Sequence, residues 1–219
     1  MAALDLGLDL ALDPAPFSRL VIASTNAGKI REFRQLLAGM GLVIAAQPGD
    51  LEVEETGATF AENARLKAIT VARHSGSWTL ADDSGLSVAA LNGAPGVHSA
   101  RYAATDPARI SRLLHELAGS SDRTARFSAA LALADPNGNV RIEVEGLCAG
   151  VILEAPRGEG GFGYDPVFFV PETGLTYAEM DQTLKGRIGH RGRAFAQLEA
   201  PLRELLAANQ VAAAQLPCR

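Results

Sequence analysis

Cysteine is scarce in this chain of 219 residues. The two present, Cys148 and Cys218, show no CxxC spacing and no Cys/His cluster. That pattern excludes a disulfide framework and a zinc site, and it suits a reducing cytoplasm. Excess positive charge is missing too. A net charge of −5 and a pI near 5.4 speak against a nucleic-acid partner, because such binding relies on a basic surface that releases counterions. Any polyphosphate must then be held by a few local cations and a metal. No apolar run approaches the ~20 residues that cross a bilayer, so no membrane partner is expected. Residues 1–18 contain no Lys or Arg and lack the positive start of a secretory signal. They read as a loosely ordered N-terminal extension, and residues 210–219 as a C-terminal tail. No repeat or low-complexity linker interrupts the rest. With 47% hydrophobic residues, residues 19–209 are enough for one domain with a full core.

Residues 19–23 (RLVIA) form a short apolar run closed by Ser-Thr-Asn. Ile30, Phe33, Leu36 and Leu37 then fall at helical spacing, which makes a strand, loop, helix unit. Residues 42–46 give a second strand after the helix-stopping Gly39 and Gly41. Thr59 suits the cap of a helix reaching about His74, with Phe60, Ala64, Ala68, Val71 and Ala72 as its buried stripe. Residues 78–81 predict a strand that ends at Asp82-Asp83. Helical spacing returns over 106–117. An alternating hairpin follows, turning at Asp135-Pro136-Asn137-Gly138, and two further strands and a last helix near 192–209 complete the chain. The pattern implies an α/β fold: a mixed sheet flanked by helices, with a cleft between two lobes.

Four polar, Gly-rich segments carry the chemistry. Ser24, Thr25, Asn26, Ala27, Gly28 and Lys29 join a strand to a helix, so amides at a helix N-terminus and one ammonium can hold an anion. This is not the GxxxxGK[ST] phosphate loop. Glu54-Glu55-Thr56-Gly57 offers carboxylates to a Mg2+ that is otherwise bound by phosphate and water. Asn63 and Lys67 lie four apart on the following helix, so an amide and an ammonium project together. Asp82 and Asp83, adjacent on a strand, point to opposite sides, so one can serve a metal or water while the other orients the loop. Gly85 is expected to permit a tight turn after Ser84. In 158–165 (GEGGFGYD), Phe162 and Tyr164 can stack on a base while Asp165 accepts from ring N–H groups. Lys185, His190 and Arg191 supply donors that select a 6-oxo purine over a 6-amino one.

In these segments the chain resembles the inosine triphosphate pyrophosphatase family, whose bacterial dITP/XTP pyrophosphatases convert non-canonical purine triphosphates to monophosphate and pyrophosphate. The match runs in order from Leu20 to Leu206 through STNAGKIREF, EETGATFAENARLKA, ADDSGL, LNGAPGVHSARYA, GGFGYDPVFF and the Lys185 to Arg191 segment. The resemblance implies an elongated α/β fold, a homodimer, a Mg2+ requirement and a role in cleansing the nucleotide pool. It also implies roles for residues. Thr25 to Lys29 form the triphosphate loop, assisted by Asn63 and Lys67. Glu54 and Asp83 hold the metal, with Asp83 as base and Asp82 beside it. Ser84 contacts substrate. Phe162, Gly163, Tyr164 and Asp165 hold the base, and Lys185, His190 and Arg191 read its 6-oxo edge. Three positions depart from the family pattern: His98 stands where Tyr is usual, Ala104 where Gly is common and Gly189 where Ser is common. The nearest rival is a Maf-type pyrophosphatase acting on modified pyrimidine or 7-methylguanosine triphosphates. A non-catalytic nucleotide sensor is a rival of another class.

Overall fold

The computed structural model describes residues 17–214. A seven-stranded sheet is assembled from β1 (Arg19–Ile22), β2 (Val43–Ala46), β3 (Thr79–Val88), β4 (Thr124–Ala134), β5 (Val140–Ile152), β6 (Phe168–Val170) and β7 (Leu175–Thr176), in spatial order β2-β1-β3-β4-β5-β6-β7. The first three strands are parallel and the remaining pairings antiparallel. The helices are α1 (Ala27–Leu36), α2 (Phe60–Ser75), α3 (Asp106–Glu116), α4 (Gln182–Ile188) and α5 (His190–Ala214).

Small residues set the close approach of α2 to one face of the sheet. Ala64, Ala68, Val71 and Ala72 lie against Ala81, Ala130, Ala132 and Ala134. A Thr59 and Glu62 capping box starts this helix, which fixes where its side chains point. On the opposite face Leu80, Leu131 and Leu133 bury Phe33 of α1 and Phe195, Leu198 and Leu202 of α5. The second lobe closes around Leu86, Phe127, Phe168, Tyr177 and the α3 residues Ile110 and Leu113.

Several boundaries differ from the sequence expectation. β3 does not end at Asp82-Asp83, because antiparallel pairing with β4 continues from Asp82↔Leu131 to Val88↔Ala125. It is β1 that stops, its last pair with β3 being Ile22↔Leu80. Among the described residues, one edge of β3 thus has no strand partner from Asp82 to Gly85, before the 94–99 segment bonds it again at Leu86 to Val88. The cleft opens there, at the carboxyl end of a parallel strand. Gly85 is no turn residue. A Cβ there would lie 2.6 Å from the Gly96 carbonyl oxygen, so glycine lets the 3-10 segment Gly96–Arg101 press against the strand. Phe17, placed in the N-terminal extension by sequence, stacks on Trp78 at 4.3 Å, and α5 continues five residues beyond Asn209. The leucine alternation of residues 4–12 and Cys218 lie outside the described residues.

Candidate active site

The pleat of β3 sends Asp82 and Asp83 to different helices. Asp83 faces α2. Its Oδ2 accepts from Asn63 Nδ2 at 3.2 Å and its Oδ1 from Lys67 Nζ at 2.8 Å. The same ammonium donates to Glu55 Oε1 at 2.8 Å and to the Asp82 carbonyl at 2.8 Å. Glu55 also accepts from Arg101 Nη1 at 2.6 Å. Burial raises the Asp83 carboxyl above its ordinary range, and the Glu55 charge adds to that against the pull of Lys67. Burial pushes the Glu55 carboxyl up too, but Lys67 and Arg101 outweigh it and hold the group below its ordinary value. Lys67 resists its own burial because two carboxylates face it, and its pKa is raised.

Asp82 faces the layer of α1 and α5 and is 1% exposed. Its Oδ2 accepts from Lys29 at 2.7 Å, Ser84 Oγ at 3.0 Å and Arg191 Nε at 3.3 Å. Burial opposes the charge, yet Arg191 and Lys29 overwhelm it and drive the carboxyl far below its ordinary range. For Lys29 burial prevails over Asp82, and its pKa is lowered. Asn26 caps α1, taking the amides of Gly28 and Lys29 on Oδ1 at 2.8 and 3.1 Å. Two of the amides expected to cradle an anion are therefore already bonded within the loop.

Phe162 divides two adjoining cavities. One, of about 440 Å3, is lined by Asn26, Ala27, Gly28, Lys29, Glu55, Asp83 and Ser84. The other, of about 360 Å3, is lined by Lys185, His190, Arg191 and Glu32 of α1. The Phe162 ring covers Gly28, where a Cβ would meet it at 2.7 Å. Lys185 Nζ lies 5.1 Å from the ring centroid and Arg191 Cζ 5.5 Å from it. Lys185 and Arg191 on this side are already paired, whereas Arg31 and Arg187 also line the cavity. Lys185 bonds Asp165 at 2.6 Å and Glu32 at 3.0 Å, and Arg191 bonds Glu32 at 2.9 Å. His190 lies parallel to the Phe127 and Tyr177 rings, and its Nε2 has no partner. Burial, reinforced by Arg191, lowers its pKa well below the ordinary value, so it is neutral at physiological pH.

The comparisons with known proteins agree on what this geometry belongs to. The Ham1 family model matches residues 20–200. This chain is a member of the Ham1 family. A relative from Prochlorococcus marinus (strain MIT 9313), named dITP/XTP pyrophosphatase, is 65% identical over 187 residues, covering 85% of this chain and 92% of its own. The structure is similar to a HAM1 protein from Coxiella burnetii (TM-score 0.77, 44% identity, 85% of this chain and 98% of that one). It is also similar to the Staphylococcus aureus Ham1 protein (TM-score 0.75, 40% identity, 85% and 99%). The family read from the motifs is borne out, and so is the mixed α/β sheet.

Among Ham1-family features expected from sequence, the structure moves several. Glu54 is exposed, and it is Glu55 that shares Lys67 with Asp83. In the extended run before α2 alternate side chains face opposite ways, so only one of the pair reaches the cleft. Asn63 and Lys67 point at Asp83, and neither lines the cavities. Asp82 lies behind the cavity and lines neither, so it organises Lys29, Ser84 and Arg191. Ser24 and Thr25 also stay off the cavity walls. Tyr164 lines the first cavity from the core side: it is 3% exposed and its hydroxyl donates to the Ser99 carbonyl at 2.9 Å. Gly189 lines the second cavity, and a Cβ there would sit 2.6 Å from the Lys185 carbonyl, too close for serine without a shift. Sequence reading passed over Glu32, although it lies three residues after Lys29 on the same face of α1. It also passed over Asp106 and Arg109, which no motif marks.

Proposed function

We propose that this Ham1-family enzyme hydrolyses non-canonical purine triphosphates, ITP, dITP, XTP and dXTP, to the monophosphate and pyrophosphate, and thereby cleanses the nucleotide pool. The observation that carries this reading is the pair of cavities meeting at Phe162, one floored by an acid pair and an ammonium, the other walled by hydrogen-bond donors. The dITP/XTP pyrophosphatase name of its relative supports the same reading. A homodimer, implied by the motif resemblance, and a cytoplasmic location, suggested by the scarcity of cysteine, belong to it as well.

The acid pair suits a divalent ion. Glu55 and Asp83 both reach one ammonium at 2.8 Å, and no cluster of three or more candidate ligands occurs among the described residues. That donor set matches Mg2+, which takes one or two carboxylates and leaves its other positions to phosphate and water. When bound it neutralises phosphate charge and polarises phosphorus. Lys29 adds a second counter-charge from the α1 side. Asp83, whose carboxyl burial has raised, accepts the proton of a water whose oxygen attacks phosphorus, and the bond to the departing pyrophosphate breaks. Asn63 and Lys67 hold Asp83 in its orientation.

On the other side of Phe162, the ring stacks on the purine. The Tyr177 hydroxyl accepts the His190 backbone N–H at 3.3 Å and lies 3.4 Å from Nδ1. It can give its own proton to Nδ1, which leaves the imidazole hydrogen on the unpartnered Nε2. With Lys185 and Arg191 this makes a donor array for a 6-oxo group. A 6-amino group would set hydrogens against hydrogens and strand buried donors. Glu32 and Asp165 already pair Lys185 and Arg191, so these two act on the base as oriented hydrogen-bond donors.

The test is a substrate panel with Mg2+, read as pyrophosphate. ITP, dITP and XTP should exceed ATP in kcat/KM by about a hundredfold or more. Preference for 7-methylguanosine triphosphate would favour the Maf-type reading, and binding without turnover would favour a sensor.

A further inference from the structure

Arg109 lines the 440 Å3 cavity together with Lys29 and Asp83, yet no motif and no step above uses it. It stands one turn into α3, with its side chain 21% exposed. Nη1 donates to Asp106 Oδ1 at 2.5 Å and Nε to the Ala103 carbonyl at 2.9 Å. Asp106 Oδ2 in turn accepts the amide of Gly163 at 2.7 Å, next to Phe162. The guanidinium is thus gripped through Nε and Nη1, while Nη2 has no partner among the described residues. A planar cation gripped at two of its nitrogens and open at the third loses little side-chain entropy when it takes an oxyanion. The other cations of the same cavity, Lys29 and Arg191, are both held by Asp82. A triphosphate carries more charge than Lys29 and one divalent ion neutralise, and Arg109 is a further cation on this wall, with Nη2 to offer.

We infer that Arg109 binds phosphate oxygens of the triphosphate, from the wall opposite the α1 loop. This rests on the proposed nucleotide reading but extends the site to α3. Through Asp106 the same guanidinium is tied to the aromatic loop, so a purely structural latch is the competing role. The two roles separate with two fragments of the substrate, inorganic tripolyphosphate and inosine, titrated calorimetrically into wild type, R109A and R109K.

For R109A the affinity for tripolyphosphate should fall about tenfold, as expected for loss of one charge-assisted contact, with inosine affinity unchanged. R109K, which keeps the charge, should recover part of the loss. Unchanged tripolyphosphate affinity in R109A would overturn the inference. So would an equal loss for both fragments, or a loss confined to inosine, since either marks a latch. Should wild type bind tripolyphosphate through Arg109 but leave ITP intact, the hydrolase reading would fail while the phosphate contact stood.

Discussion

The two faces of β3 treat one residue type in opposite ways. Under α1 and α5, Asp82 meets a lysine, an arginine and a hydroxyl on a single oxygen and is driven far below the ordinary carboxylate range. Under α2, Asp83 shares one lysine with Glu55 and receives a neutral amide, and its carboxyl is raised. Burial alone would raise both groups. What separates them is how many cations each face supplies per carboxylate. One aspartate becomes a fixed counter-ion behind the site, and its neighbour keeps the reactivity that a metal or a proton transfer needs.

The sharpest way to break this contrast is Asp83→Asn. Turnover of ITP should fall by about 10² to 10⁴, while urea unfolding shows little change, since the substitution removes a charge that burial disfavours. Asp82→Asn should do the reverse in kind. Two buried cations lose their carboxylate, and unfolding free energy should drop by about 3 to 5 kcal/mol. A variant at Asp82 that kept full stability would erase the division between the faces. Next in size, Glu55→Gln should weaken Mn2+ or Mg2+ affinity by about tenfold or more, whereas Glu54→Gln, on the exposed side, leaves it unaltered. Phe162→Ala should raise KM for ITP by about tenfold with kcat largely kept, because stacking on a base is worth ~1 to 3 kcal/mol.

The smallest effect concerns His190 and acid stability. Its folded pKa lies well below 6.5, which is about the value in the unfolded chain, so below that pH the unfolded chain takes up a proton that the folded chain refuses. Stability should therefore decline as pH falls from 7 to 5, by at most about 1.4 kcal/mol per pH unit. Denaturant melts of His190→Gln over that range should show a flatter profile.

Legibility in the sequence followed the same division between elements and their junctions. The helix periods, the β4–β5 hairpin and the Thr59 cap could be read because each is a local pattern. So could the opposition of Asp82 and Asp83, which needs only the period of a strand. The choice of Glu55 over Glu54 could not, since the extended run before α2 does not declare which side faces the cleft. Nor could the run of β3 past Asp83, which depends on continued pairing with a strand more than forty residues on. Glu32 became visible only when α1 met Arg191, 159 positions away, and Asp106 and Arg109 only when α3 met the aromatic loop, 57 positions from Asp106 to Gly163. Tyr164, beside Phe162 in the motif, lines the cavity wall, but its hydroxyl is used by the Ser99 carbonyl, which no local pattern declares.

The claim that Asp83 serves a water attack within a triphosphate is tested most directly by the products of ITP incubated with Mg2+. Chromatography of the nucleotide with separate assays of the two phosphates should give IMP and pyrophosphate in equal amounts, with no orthophosphate. Formation of IDP and orthophosphate would mean that a different bond is cut, and the placement of the triphosphate between Lys29 and Asp83 would be wrong.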